Sequence, residues 1–85
     1  MRADRRDANE KNLVELWRKM GCEVVYMDRN AGFDLLVIKD KVYIVEIKNP
    51  AIKWKLTGAE QELQDKLGWL YNIIEDEDEA IRLIG

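Results

Sequence analysis

The chain has 85 residues, 14 Lys plus Arg against 17 Asp plus Glu (net charge −3), and 47% hydrophobic residues, which makes one domain with enough apolar content to fold. It has no histidine, which excludes a His-ligated zinc site, a Ser-His-Asp triad and a Cys-His pair, and one cysteine, Cys22, which excludes an internal disulfide. No apolar run approaches the roughly 20 residues of a membrane span, the polar start at 1–9 does not read as a signal peptide, and a single free thiol points to a reducing, cytoplasmic setting.

Residues 4–20 predict a helix, because Leu13, Leu16, Trp17 and Met20 recur at spacings of three and four, Val14 widens the stripe, and Gly21 stops it. Residues 22–27, with Val24, Val25 and Tyr26, predict a strand, and 28–32 a turn. Two further strands are predicted at 33–38 and 42–48, joined into an antiparallel hairpin by Lys39-Asp40-Lys41. Both are apolar on alternate and intervening positions alike, the pattern of strands covered on two faces. A basic loop spans 51–56. Thr57 and Glu60 fit a capping box that opens a helix ending at Gly68. Residues 69–74 predict a fourth strand, and the acidic run 75–79 opens a last helix, where acids suit the dipole. The expected fold is a single α/β (α+β) domain over 1–85, of order αβββαβα, with a mixed sheet flanked by helices.

Three ionisable residues stand out in this plan. Asp34 opens an apolar strand, while Glu46 and Lys48 lie in the next, two apart and therefore on one face. Charges in a covered strand are costly unless they are paired or bound to a metal. Asp34 joins the other two only if the link at 39–41 is a three-residue loop, which sets Ile38 against Val42 and Asp34 against Glu46. A two-residue turn would send Asp34 to the other face. Glu10 precedes Leu13, Val14 and Trp17 by three, four and seven residues, which puts it on the apolar side of the first helix. Carboxylates at Asp34 and Glu46, with the Ile47 carbonyl, would supply oxygen ligands to Mg²⁺ or Mn²⁺. Lys48 could orient or deprotonate an attacking water, or neutralise charge at phosphorus, and Glu10 could hold a water or a second metal. A bare Glu-x-Lys is most often a structural ion pair. Gly-x-Asp on one strand, Glu-x-Lys on the next and a helical glutamate upstream together reverse that weighting.

The residues Gly32-Phe33-Asp34, Glu46-Ile47-Lys48 and Leu56-Thr57-Gly58-Ala59-Glu60-Gln61, in this order, resemble the VRR-NUC (virus-type replication-repair nuclease) domain of the PD-(D/E)XK nuclease superfamily. The likeness runs from Glu10 to about Leu83. It implies a restriction-endonuclease-like core and a metal-dependent, structure-specific DNA endonuclease. Asp34 and Glu46 match the metal-binding acids, Lys48 the catalytic lysine and Glu10 the first-helix glutamate. Gln61 and Gln64 are both candidates for the helical glutamine, and Gly58 stands where the family often has proline. Short standalone members, typically from bacteriophages, are similar to Holliday-junction resolvases and act as homodimers. A two-fold dimer suits a junction with two-fold character. A chain of this length without disulfides also needs outside stabilisation from a metal or a partner chain, and exchange of an element between protomers would be one route. The rival readings are a non-catalytic DNA-binding module on the same fold, or a restriction-type or RNA-cleaving nuclease.

Lys53, Trp54 and Lys55 form an aromatic flanked by amines. That pattern suits base stacking with phosphate contacts, and it equally suits packing in a core or dimer. Arg2, Arg5 and Arg6 are further candidates for phosphate contacts. Trp17 is expected in the core, Trp69 and Tyr71 in the core or an interface, and Cys22 buried in a strand. Setting aside the five acids of 75–79 and Glu10, Asp34 and Glu46 leaves 9 acids against 14 basic residues, so a DNA-facing surface could be basic if the acidic run points away from it.

Overall fold

A computed structural model describes residues 8–85; the expectations for Arg2, Arg5 and Arg6 lie outside these residues. The order is α1 (Ala8–Lys19), β1 (Glu23–Tyr26), β2 (Leu35–Ile38), β3 (Val42–Ile47), α2 (Gly58–Leu67), β4 (Tyr71–Ile74) and α3 (Glu77–Ile84). The fold is α+β, with a four-stranded mixed sheet in the order β1-β2-β3-β4. The first two pairings are antiparallel and the β3–β4 pairing is parallel. The predicted order αβββαβα is the observed one. No helix among the described residues is long and apolar enough to cross a membrane.

The sheet has two unlike faces. Leu35 and Val37 of β2, Val45 and Ile47 of β3 and Ile74 of β4 point to one face and pack with Leu13, Val14 and Trp17 of α1 and Ala80 of α3. Trp17 is fully buried, and its indole N–H donates to the Ala80 carbonyl at 3.1 Å, joining α1 to α3. Cys22 belongs to the same core, and burial pushes its thiol pKa up against the opposing charge of Lys39. The other face carries Leu36, Ile44 and Glu46. It is covered only in part, by α2, which buries none of its own residues. The expectation that β2 and β3 are covered on both faces therefore holds for one face only. Leu36 and Ile38 stay half-buried and Val42 is exposed, because α2 spans only ten residues over that side.

The hairpin adopts the register that the site requires. Ile38 pairs with Val42 across the three residues 39–41, and Leu35 pairs with Val45. Just before that pair the Asp34 amide donates to the same Val45 carbonyl at 3.0 Å, which breaks the regular step and sets Asp34 beside the end of β3. The capping box forms as predicted: the Glu60 amide donates to Thr57 Oγ1 at 3.2 Å and the Thr57 amide to Glu60 Oε1 at 3.0 Å.

The fourth strand is shorter than expected. Residues Gly68–Leu70 make a 3-10 turn, and the strand starts only at Tyr71. Gly68, at φ 59°, turns the chain out of α2 before it can pair, which leaves Trp69 85% exposed and outside the core.

Gly32 has φ 89°, and a Cβ there would lie 3.2 Å from Leu63 Cδ2 and 3.4 Å from the Ala59 carbonyl oxygen. Its own carbonyl accepts the Tyr71 hydroxyl at 2.8 Å. Gly32→Ala should therefore cost roughly 1–2 kcal/mol through strain and the displaced α2. A lowered urea midpoint is the expected reading, and a midpoint equal to wild type would contradict it.

Candidate functional site

The site lies on the α2 side of the sheet, at the C-terminal end of β3. Glu46 points there from within β3 and is 3% exposed. Lys48, two residues on, returns its ammonium to the same side, 3.2 Å from Glu46 Oε2 and 2.9 Å from Glu60 Oε1. Asp34 approaches from the start of β2, and its Oδ2 accepts the Ile47 amide at 2.8 Å. An extended residue turns its N–H and C=O to the same neighbouring strand, so the Ile47 carbonyl is also on the Asp34 side. The spacing and register arguments from sequence thus bring Asp34, Glu46, Ile47 and Lys48 together.

Four carboxyl and amine groups here shape one another's charge. Burial, a hydrogen bond to Glu60 and the charges of Asp34 and Glu60 raise the Glu46 carboxyl pKa from 4.5 to about 9, against the opposing pull of Lys48. Burial acts to lower the Lys48 pKa, but its bonds and ion pairs with Glu60 and Glu46 outweigh burial and leave it above the ordinary value. Burial acts to raise Glu60, and the Thr57 amide, Glu46 and Lys48 outweigh it in the other direction. Glu60 is the nearer counter-ion of the Lys48 ammonium, and burial together with the neighbouring acids biases Glu46 toward its neutral form. Tyr71 borders the same group: burial and the charges of Glu46, Glu60 and Asp34 raise its phenol pKa.

As a carboxylate, Glu46 leaves its buried Oε1 with no N–H or O–H donor. A buried oxygen left this way is expensive in a structural ion pair and is available to a cation. The donors at hand are all oxygens, namely two carboxylates and a peptide carbonyl, which suits Mg²⁺ or Mn²⁺. Among the described residues no three His, Cys, Asp or Glu side chains form a metal-holding group. The residues fit a cation held by one or two carboxylates that keeps several of its waters, as Mg²⁺ commonly does.

Glu10 is 5% exposed on the inward side of α1, but it is not gathered with Asp34 and Glu46 into one ligand group. Its neighbour Asn9 makes a long-range link. The Asn9 amide donates to the Lys48 carbonyl at 3.2 Å and to the Glu75 carbonyl at 3.0 Å, fastening α1 to the ends of β3 and β4.

The predicted glutamines do not reach Lys48. The Gln61 side-chain amide donates to Gln64 Oε1 at 3.2 Å and Asp65 Oδ1 at 3.0 Å, along the exposed side of α2. The residue of α2 that meets Lys48 is Glu60, because the capping box folds its side chain back over the helix start. The capping-box spacing was visible in the sequence, but its second partner was not.

Lys53 and Lys55 are exposed in the loop after β3. That loop opens with an Asx turn: Asn49 Oδ1 accepts the Ala51 amide at 2.9 Å, and the Asn49 carbonyl accepts the Ile52 amide at 3.2 Å. The chain then brings the Trp54 ring over the Lys48 ammonium, 5.7 Å from nitrogen to ring centroid. The Trp54 indole N–H donates to Glu75 Oε2 at 2.7 Å. The acidic run therefore does not point wholly away from the site, since its first member lies beside it. Comparison of the chain with protein-family models, with curated proteins and with solved structures finds no match.

Proposed function

We propose that the protein is a Mg²⁺- or Mn²⁺-dependent endonuclease with a restriction-endonuclease-like core, of the VRR-NUC type, hydrolysing phosphodiester bonds in branched DNA as a homodimer. The observation that carries this reading is the meeting of Asp34, Glu46 and Lys48 around a buried carboxylate oxygen without a partner. Asp34 and Glu46, with the Ile47 carbonyl, would hold the cation. When bound, the cation supplies Lewis-acid polarisation of the phosphate.

Lys48 is held as an ammonium between the Glu46 and Glu60 carboxyl groups, so its part is to place positive charge where negative charge builds at phosphorus, rather than to remove a proton. Glu60 keeps that ammonium aimed, and Lys53 and Lys55 offer phosphate contacts beside it. The branched substrate and the dimer rest on the sequence resemblance and on the small size of the domain.

The test is a panel of four-way junctions, flaps, linear duplex and RNA, each in Mg²⁺ and in Mn²⁺. Wild type should cleave a branched DNA. Lys48→Ala and Asp34→Ala should each lose at least about 100-fold in rate, with circular dichroism unchanged. Cleavage retained by both variants would overturn the reading. DNA binding by wild type without cleavage of any substrate would favour a non-catalytic binding module.

A further inference from the structure

The sequence left Trp54 between base stacking and packing. Its surroundings indicate another role. Lys48 Nζ meets three groups: Glu46 Oε2 at 3.2 Å, Glu60 Oε1 at 2.9 Å and the Trp54 ring, 5.7 Å to the centroid. The first two lie in the sheet and in α2, and the ring comes from the loop after β3. An ammonium over an indole face within about 6 Å is attracted by the ring quadrupole, and the contact strengthens as water is removed.

A loop residue does not hold such a ring still by itself. Here the indole N–H is tied to Glu75 Oε2 at 2.7 Å, a short bond to a charged acceptor. Glu75 in turn is held by its main chain. Its amide donates to Glu79 Oε1 at 2.7 Å and its carbonyl accepts the Asn9 amide at 3.0 Å. The same Asn9 amide reaches the Lys48 carbonyl at 3.2 Å. The main chain of Lys48 and the ring over its ammonium are thus both referred to Asn9 and Glu75.

We propose that Trp54 and Glu75 form a positioning clamp on Lys48, with Glu75 fixing the indole so that its face holds the ammonium against Glu46 and Glu60. The kinetic consequence rests on the nuclease reading; the clamp itself does not. Neither residue touches the reacting atoms. They narrow the positions open to a flexible side chain whose charge must be in place at the transition state.

The main-chain bonds of Glu75 survive side-chain truncation, so Glu75→Ala cuts only the tie to the indole. Glu75→Gln keeps an acceptor oxygen for it. Trp54 sits at the surface, and Trp54→Leu leaves the core untouched.

Two readouts apply to the full chain and these variants. In ¹³C-resolved NMR, the Lys48 ε-CH₂ protons of wild type should lie upfield of those of the exposed lysines, through the ring current of Trp54. Trp54→Leu and Glu75→Ala should return them toward the exposed-lysine position, and Glu75→Gln should not. Single-turnover cleavage should slow about tenfold in Trp54→Leu and Glu75→Ala, with DNA affinity measured without divalent cation unchanged and with Glu75→Gln close to wild type.

A Lys48 signal without upfield displacement in wild type would overturn the clamp, as would a signal and rate both indifferent to Glu75→Ala. Weakened DNA binding in Trp54→Leu with an undiminished rate at saturating DNA would overturn it in favour of base stacking. If wild type cleaves nothing on the panel, the nuclease reading fails alone, and the lysine signal still decides the clamp.

Discussion

Glu46→Gln should abolish cleavage and, at the same time, make the metal-free protein more stable. The Glu46 carboxyl has a pKa of about 9 in the folded protein against 4.5 in an ordinary setting, so folding favours its neutral form. An acid whose folded pKa is raised contributes its full stability below the unfolded pKa and loses it as pH rises through the folded value. Metal-free wild type should therefore become progressively less stable from about pH 5 to about pH 9. Glutamine keeps the shape, cannot ionise, and leaves Lys48 paired with Glu60. At pH 8 the variant should gain roughly 2–4 kcal/mol in urea unfolding, and its pH slope should flatten over the same window. Mg²⁺ or Mn²⁺ should stabilise wild type and not the variant, because only the ionised carboxylate binds the cation. A variant no more stable than wild type at pH 8, together with a flat wild-type profile, would contradict the account.

The second large effect is expected in the core. Trp17→Ala should leave the protein unfolded at 25 °C. Removing a fully buried tryptophan costs about 3–5 kcal/mol, and a small domain holds little more than that in total. The indole also supplies the donor for the Ala80 carbonyl at 3.1 Å, so α3 loses its tie to α1. Trp17→Phe separates the two contributions. It keeps most of the apolar volume and strands the carbonyl, for an expected loss of about 1–3 kcal/mol. Circular dichroism and urea denaturation measure both variants. A folded Trp17→Ala, or a Trp17→Phe as stable as wild type, would show that the bond and the packing matter less than the burial implies.

These two residues mark a division of labour across the sheet. The face beneath α1 and α3 is apolar and closed around Trp17, and it carries the stability. The face beneath α2 holds Asp34, Glu46, Lys48 and Glu60 close together, at a cost that the buried, unpartnered Glu46 Oε1 makes visible. On the proposed nuclease reading, a bound cation would relieve that cost, the usual form of a trade between stability and activity.

Much of this was legible in the chain itself. The spacing of Leu13, Leu16 and Trp17, the paired Thr57 and Glu60, and the glycines that end α1 and α2 act within about one helical turn, where local geometry decides the outcome. Glu46 and Lys48 share a face because strand side chains alternate, and the three-residue link at 39–41 set Leu35 against Val45, which brings the neighbouring Asp34 to the Ile47 amide. Other features depend on how separate elements dock. Glu60 reaches Lys48 across 12 positions, Trp54 reaches Glu75 across 21, and the Asn9 amide reaches the Glu75 carbonyl across 66. No periodicity encodes such contacts, because each is fixed by the angle at which one element lies on another. For the same reason, sequence could not distinguish Gln61 and Gln64 from Glu60, or tell that Trp69 stays outside the core and Tyr71 inside it. The element order and the gathering of Asp34, Glu46 and Lys48 at the end of β3 followed from sequence. Which helix residue meets those charges, and what holds Lys48 in place, was decided by tertiary packing alone.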